Sequence, residues 1–232
     1  MKIMTFNTQH CKNFVTGKID FQIMADAVKK LNPDIVGLNE MRGKGADAEY
    51  EDQTAILSGL TGMKYCYFAK AIDVKGENPY GNAVLSKLPI VSAKTIPIPN
   101  PIPKPENKYY ESRSLLKAKL ENGLTVLITH FGLNDDEQES AVDTVLSHIE
   151  DEKCILMGDF NVKPENSVLN PIRERMKDAS ILIATPAFTF PSDNPDIKID
   201  YIFVSRDIEI INADIPKVIA SDHRPHTAVI NI

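Results

Sequence analysis

The chain is 232 residues long, 43% hydrophobic and 25% charged, with a formal net charge of -6, three cysteines and no tryptophan. A chain of this length buries most of its apolar surface without staples, and an average charged fraction excludes wholesale disorder. The acidic balance argues against non-specific binding along duplex DNA, which needs a basic footprint, but leaves room for an acidic site that holds a cation.

Cys11, Cys66 and Cys154 are odd in number and widely spaced, with no CxxC, so buried free thiols are expected rather than a disulfide framework or a zinc knuckle. The opening MKIMTFNTQH has no long apolar region, and no run approaches the ~18 apolar residues of a membrane span. The expectation is a soluble, cytoplasmic protein with no membrane span.

Residues 2–6 read as a short apolar strand. Residues 20–31 place Phe21, Met24, Ala25, Val28 and Leu31 at helical spacing, with Asp20 as the N-cap and Asn32-Pro33 as the stop. Residues 34–38 form a buried strand, 50–60 a second helix ending near Gly62, and 63–69, 81–86 and 90–96 three further strands. Five prolines then stand in nine residues, Pro97 to Pro105. Proline lacks a backbone donor, so 97–107 is predicted to be a stiff extended loop, either a rim that shapes access to a site or a plain connection. Residues 114–120 and 124–129 read as a hairpin turning at Glu121-Asn122-Gly123. A helix over 134–150 puts Ala141, Val145 and Ile149 on one face, 154–157 is a buried strand, and 167–176 is a short helix. Residues 199–204 and 208–211 are expected to pair as strands, and 227–232 closes the chain. About ten strands among four helices, joined both by hairpins and by crossovers, predict a mixed sheet system layered with helices. No linker divides the chain, so residues 1–232 read as a single domain.

Polar residues cluster just after the apolar strands, where α/β and α+β proteins place their sites. Asn7 leaves the first strand, Glu40 the second, and His130 ends TVLITH. Each alone is equally a turn former, a cap or a hydrogen-bonded structural group. In GDFN, Gly158 permits close backbone approach, and Asp159 and Asn161 stand two apart on one face of an extended stretch. Asp200 interrupts an otherwise apolar strand and needs a partner such as an imidazole or a cation. Asp222-His223-Arg224 sets acid, imidazole and guanidinium in succession before Pro225. This inventory suits a hard, oxygen-loving cation with acid–base groups rather than thiolate-bound zinc. A GxSxG elbow and a P-loop are both absent from the sequence.

In order, TFN at 5–7, NE at 39–40, GNAVLSKLPI at 81–90, ITH at 128–130, GDFN at 158–161, IDYIF at 199–203 and SDHRP at 221–225 resemble the endonuclease/exonuclease/phosphatase superfamily, the DNase I-like fold. The resemblance covers nearly the whole chain. It implies an α+β fold, a four-layer α/β/β/α sandwich with the site at one edge of the two packed sheets. It also implies Mg2+ or Mn2+ and hydrolysis at phosphorus. By that resemblance Glu40 is the principal metal ligand, with Asp222 and Asn7 nearby, directly or through waters. Asp159 deprotonates the attacking water, Asn161 holds that water or a phosphate oxygen, and His223 donates to the phosphate with Asp200 fixing its tautomer. His130 is a second phosphate-side donor or a general acid. Arg113 matches a position that often faces the phosphate, with a surface pair to Glu111 as the alternative, and Asn82 borders the pocket or does not.

Two positions depart from the family pattern. Gln9 stands where nuclease members commonly carry an acid, which favours a single, Glu40-centred metal site. Arg224-Pro225-His226 replaces an apolar or small residue, Pro and an aliphatic, and His226 either reaches solvent or substrate or simply starts a polar strand. The basic residues are scattered, and little length is left for DNA-inserting loops. The expected substrate is therefore a small or headgroup-like phosphoester, handled by a phosphatase or phosphodiesterase. The alternative is a nuclease or DNA-end-processing phosphodiesterase, with nucleic acid as a partner but not as a long duplex. A non-catalytic binding module ranks last, because Glu40, Asp159, Asn161, Asp200, Asp222 and His223 are all present. Glu111 and Asp135 are expected near the site, where a dication would offset the local acidity.

Overall fold

The computed structural model describes residues 1–105, 107–184 and 186–232. Strands β1 (Lys2–Asn7), β2 (Ile35–Arg42), β3 (Tyr65–Val74) and β4 (Asn78–Ser86) are followed by β5 (Ile90–Ile98), β6 (Arg113–Leu120), β7 (Thr125–His130) and β8 (Cys154–Asp159). The last four are β9 (Met176–Asp178), β10 (Asp200–Ser205), β11 (Glu209–Asp214) and β12 (His226–Asn231). Helices α1 (Phe21–Leu31), α2 (Gln53–Thr61), α3 (Asp135–Leu146) and α4 (Asn170–Arg175) interrupt them, with tight 3-10 turns at Gln9–Cys11, Ser167–Leu169 and Ala179–Leu182.

The strands form two six-stranded mixed sheets, ordered β11-β12-β1-β2-β4-β3 and β5-β6-β7-β8-β10-β9. Alternation along each strand assigns its two faces to two different cores. Ile3, Ile35 and Val84 of the first sheet pack against Leu116, Ile128, Met157 and Ile202 of the second. The residues between them, Met4, Val36 and Leu85, turn outward onto Met24, Val28 and Leu57 of α1 and α2. Leu127, Leu156 and Phe203 likewise meet Ala141, Val145 and Ile172 of α3 and α4. The result is the expected four-layer α/β/β/α sandwich. Sheets covered on both faces explain why the central strands read as continuous apolar runs. No helix among the described residues is long and apolar enough to cross a membrane.

Local signals hold where a cap is present. The Asp20 carboxylate accepts from Ile23 N, and Asn32 takes the left-handed conformation at φ +49°. The second helix starts at Gln53 rather than at residue 50, because Asp52 is its N-cap, accepting from Ala55 N. Strand β5 continues through Pro97 to Ile98, beyond the expected end at 96. It lies at a sheet edge with β6 as its neighbour, so the missing donor costs no ladder bond. Of the loop 97–107, Glu106 lies outside the described residues.

Two expectations are corrected. The segments expected to pair at 199–204 and 208–211 belong to different sheets: β10 pairs with β8 and β9, whereas β11 pairs with β12. Every residue of β10 is buried, so it needs neighbours on both sides, whereas β11 is a largely exposed edge. The three-residue β9 is too short to carry a pattern. Cys11 and Cys154 are buried as expected, but Cys66 is exposed.

His226 begins β12 opposite Thr5 and is fully buried, away from solvent. Burial and the nearby Lys198 charge lower its pKa to about 4, against the opposing pull of Asp178 and Asp200. An unfolded imidazole titrates near 6.5, so between about pH 6.5 and 4 the unfolded chain binds the extra proton and stability falls as pH falls. Urea melts across this window should show wild type losing on the order of 2 kcal/mol more than His226→Phe. Parallel pH profiles for the two proteins would refute this account of His226.

Candidate active site

The parallel pairs β1/β2 and β7/β8 end at one edge of the sandwich, and strand register brings the polar residues together there. Asn7 sits opposite Asn39, His130 opposite Asp159, and Asp159 opposite Asp200 at the start of antiparallel β10. The 221–225 segment enters the same edge just ahead of β12. Together they surround a cleft of about 440 Å³ lined by Glu40, Arg113, His130, Asp159, Asn161, Asp222 and His223. Asp200 lies fully buried behind His223. Asp135 is not in this cleft; it lines a separate acidic groove with Gln138, Glu139 and Asp143.

The floor of the cleft is tied across the sheets by Asn39, which is fully buried. Its amide donates to Asn82 Oδ1 and to the Thr129 carbonyl, each at 2.8 Å, and its Oδ1 accepts from Asp159 N at 3.0 Å. Asn82 in turn donates to the Ser114 carbonyl. Asn82 therefore braces the site from below and does not line it. Gly158 is required here for space: a side chain at this position would collide with the Thr129 carbonyl oxygen.

Glu40 does not follow its strand but sits within it, at a bulge with φ +60°. Bulges re-aim side chains next to functional sites, and this one turns Glu40 into the cleft. Asn7 Nδ2 donates at 3.0 Å to both Glu40 Oε1 and Asp159 Oδ2. Its Oδ1 accepts from Gln9 N, so the Asn7 side chain spaces two carboxylates rather than presenting a free oxygen. Asp222 accepts from Ser221 Oγ and from Gln9 Nε2 at 2.8 Å. Among the described residues, neither Glu40 nor Asp222 forms an ion pair, although both line the cleft. Two unpaired carboxylates of this kind fit a hard, oxygen-coordinated dication.

His223 Nδ1 bonds Asp200 Oδ2 at 2.8 Å, and its Nε2 stands 3.7 Å from Asp159 Oδ2. Burial alone would lower its pKa, but the Asp200 and Asp159 charges, with the Asp200 bond, outweigh burial and raise it to about 10. Burial raises Asp159 to about 7, opposed by His223 and by donors from Asn161 and Asn7. Asp159, Asp200 and His223 each bring a ligand atom within 4.8 Å of the others, a spacing that a metal ion can use. The Asp200 bond fixes the orientation of the His223 ring against Asp159.

Arg113 Nη1 lies 2.8 Å from Glu111 Oε1 and 2.9 Å from His130 Nδ1. Both expected partnerships of Arg113 thus coexist at the cleft. A guanidinium only donates, so His130 Nδ1 accepts and its proton resides on Nε2. Burial, Arg113 and His223 hold the His130 pKa well below its usual value. His130 is accordingly a neutral N–H donor rather than a protonated acid. Its Nε2 stands 3.1 Å from Asn161 Nδ2, which also donates to the Phe131 carbonyl. Asp159 Oδ2 stands 3.6 Å from His130 Nε2, so the two N–H groups border the carboxylate at a place that suits an incoming phosphoryl oxygen.

A family model described as the Endonuclease/Exonuclease/phosphatase family matches residues 4–223. The chain belongs to this family. Its members hydrolyse phosphoester bonds, typically with a divalent metal. No curated protein matches the sequence at a significant level. An endonuclease/exonuclease/phosphatase from Beutenbergia cavernae superposes with TM-score 0.87 at 22% identity, over 100% of this chain and 71% of that one. A mannosyl-6-phosphatase from Bacteroides thetaiotaomicron gives 0.76 at 14% identity over 100% of both chains. TDP2 from Caenorhabditis elegans gives 0.68 at 18%, over 100% of this chain and 74% of that one. At these identities the likeness is one of fold.

Several cleft residues of this family member carry no sequence signal. Tyr80 precedes GNA, and Leu133, Lys163, Phe190 and Ile197 also line the cleft. Phe190 packs on His223 with ring centroids 4.9 Å apart. Its hairpin closes through Ile197 N to the Phe190 carbonyl and is stapled to the 221–225 segment. Ser192 N donates to the Asp222 carbonyl, Ser192 Oγ to the Ser221 carbonyl, and Arg224 Nε to the Ser192 carbonyl. Arg224 therefore acts through carbonyl oxygens behind the site.

Replacing Asn39 by Leu strands the Asp159 N–H and the Thr129 and Asn82 oxygens. The expected loss is about 2–4 kcal/mol in denaturant melts, the scale of several unsatisfied buried groups; a loss below about 1 kcal/mol would contradict the bridging role.

Proposed function

We propose that this chain is a divalent-cation-dependent hydrolase of a small or headgroup-like phosphoester, a phosphatase or phosphodiesterase, with residues 1–232 acting as one catalytic unit. The observation that carries the reading is the compact cleft in which Asp159 faces His130 and His223 at 3.6 and 3.7 Å, beside the unpaired carboxylates of Glu40 and Asp222. Arg113 and Lys163 stand against Glu40, Glu111 and Asp222 around this cleft. That balance suits one phosphoryl group joined by a cation, and lacks the many phosphate contacts a long duplex demands. Phe190, Ile197, Ile199 and Leu133 supply an apolar wall for the organic part of the ester.

In this reading Glu40 and Asp222 hold Mg2+ or Mn2+, with Asn7 fixing the Glu40 carboxylate. The bound cation supplies polarisation of a phosphoryl oxygen and stabilisation of the leaving oxygen. Asp159, poised near neutrality, takes a proton from water as the water oxygen bonds to phosphorus and the ester P–O bond breaks. His223 donates Nε2–H to a phosphoryl oxygen as charge develops, and Asp200 fixes its tautomer. The neighbouring N–H groups of His130 and Asn161 donate to a second phosphoryl oxygen. Arg113 orients His130 while its guanidinium faces the same anion.

Asp159→Asn and His223→Ala should each lower kcat by at least ~10²-fold, the scale of one acid–base group. Glu40→Gln should shift the Mg2+ concentration for half-maximal activity upward while leaving the melting temperature nearly unchanged. The decisive panel combines sugar phosphates, inositol phosphates, sphingomyelin, nucleotides, bis-p-nitrophenyl phosphate, abasic-site DNA and end-blocked oligonucleotides, with and without EDTA. Turnover confined to the DNA substrates would favour the nuclease alternative, and absence of metal-dependent turnover on all of them would sink the enzyme reading.

A further inference from the structure

Gln9, His10 and Cys11 follow β1 with φ of +46°, +48° and +61°. None is glycine, and three successive left-handed L-residues are costly because each Cβ crowds a carbonyl oxygen. Such a turn persists only where its surroundings over-determine it, and these outliers cluster at functional sites. Here the anchors are visible. Gln53 Nε2 donates to the His10 carbonyl at 2.8 Å, and Asp20 N donates to the Cys11 carbonyl at 2.8 Å. The Gln9 N–H is held by Asn7 Oδ1, and Cys11 is buried.

What the turn delivers is the Gln9 amide, which donates to Asp222 Oδ2 at 2.8 Å across 213 residues of sequence. Ser221 Oγ donates to the other oxygen at 2.9 Å. Both donors are neutral, so Asp222 is oriented without losing its charge to an ion pair. We propose that the left-handed turn Gln9–Cys11 is a positioning device, and that Gln9 is the residue that aims the Asp222 carboxylate at the cation. This rests on the assignment of Asp222 as a cation ligand under Proposed function.

Mn2+ binding followed by electron paramagnetic resonance tests it without reference to activity. Gln9→Met keeps the length but loses the donor, and Gln9→Asn keeps an amide too short to reach; both should weaken Mn2+ binding about tenfold or more, the usual effect of removing a group that orients a ligand. Wild-type affinity in both would overturn the inference alone, whereas a wild type that takes up no Mn2+ would overturn the cation reading and the inference with it. The strain is tested separately by comparing His10→Gly with His10→Ala, which lose the same ring. The glycine variant should melt about 2 °C or more above the alanine variant, the reverse of the usual order. An alanine variant that melts as high as the glycine variant would show an unstrained turn and remove the argument.

Discussion

Buried asparagines tie the two sheets together at the cleft edge, with Asn39 at their centre. Asn39 satisfies a carbonyl on β7, an amide oxygen on β4 and the backbone N–H of Asp159 on β8. Apolar packing between sheets is non-directional and tolerates sliding, whereas the two hydrogen bonds that Asn39 makes to the opposite sheet, with no water available to replace them, do not. The placement of Asn7 and Glu40 against Asp159 depends on this tie, because the first sheet contributes Asn7 and Glu40 while the second contributes Asp159. The requirement for glycine at 158 belongs to the same constraint, since the backbones of β7 and β8 approach too closely for a side chain.

Charge in the site is arranged by pairing rather than by sum. Asp200 is matched with His223 and Glu111 with Arg113, and Asn7 separates Glu40 from Asp159. Of the acids that line the cleft, Glu40 and Asp222 are the ones left without a cationic partner among the described residues. A net charge of -6 therefore says little about whether a phosphate can enter, because the local balance is set by which acids are already committed. It bears on long duplex DNA, which would have to lie across the surface beyond the cleft.

Most strands, the helix caps and the hairpin at Glu121-Asn122-Gly123 are legible because alternation, caps and turn residues are local physics. The pairing of β10 and β11 is not, since two apolar stretches joined by a short turn look like a hairpin whether or not the chain changes sheets. The boundary at Gln53 and the continuation through Pro97 follow from a cap and from an edge position that periodicity does not report. In the site, the residues of the polar strand-end motifs stand out by type, but Asn39 was hidden beside Glu40, and Phe190 and Ile197 read as ordinary apolar residues.

The order of strands and helices, the residue types available for phosphoryl chemistry and the likeness to this hydrolase family are properties of the sequence by itself, because they depend on composition, spacing and motif. Which carboxylates remain unpaired, which partners Asn7 and Asn82 take, that Arg113 reaches His130 Nδ1, and that His226 is buried away from solvent were decided by the tertiary structure alone. Each turns on an orientation or a partner distant in sequence, and hydrogen bonds and burial exist only once the two sheets have closed on one another.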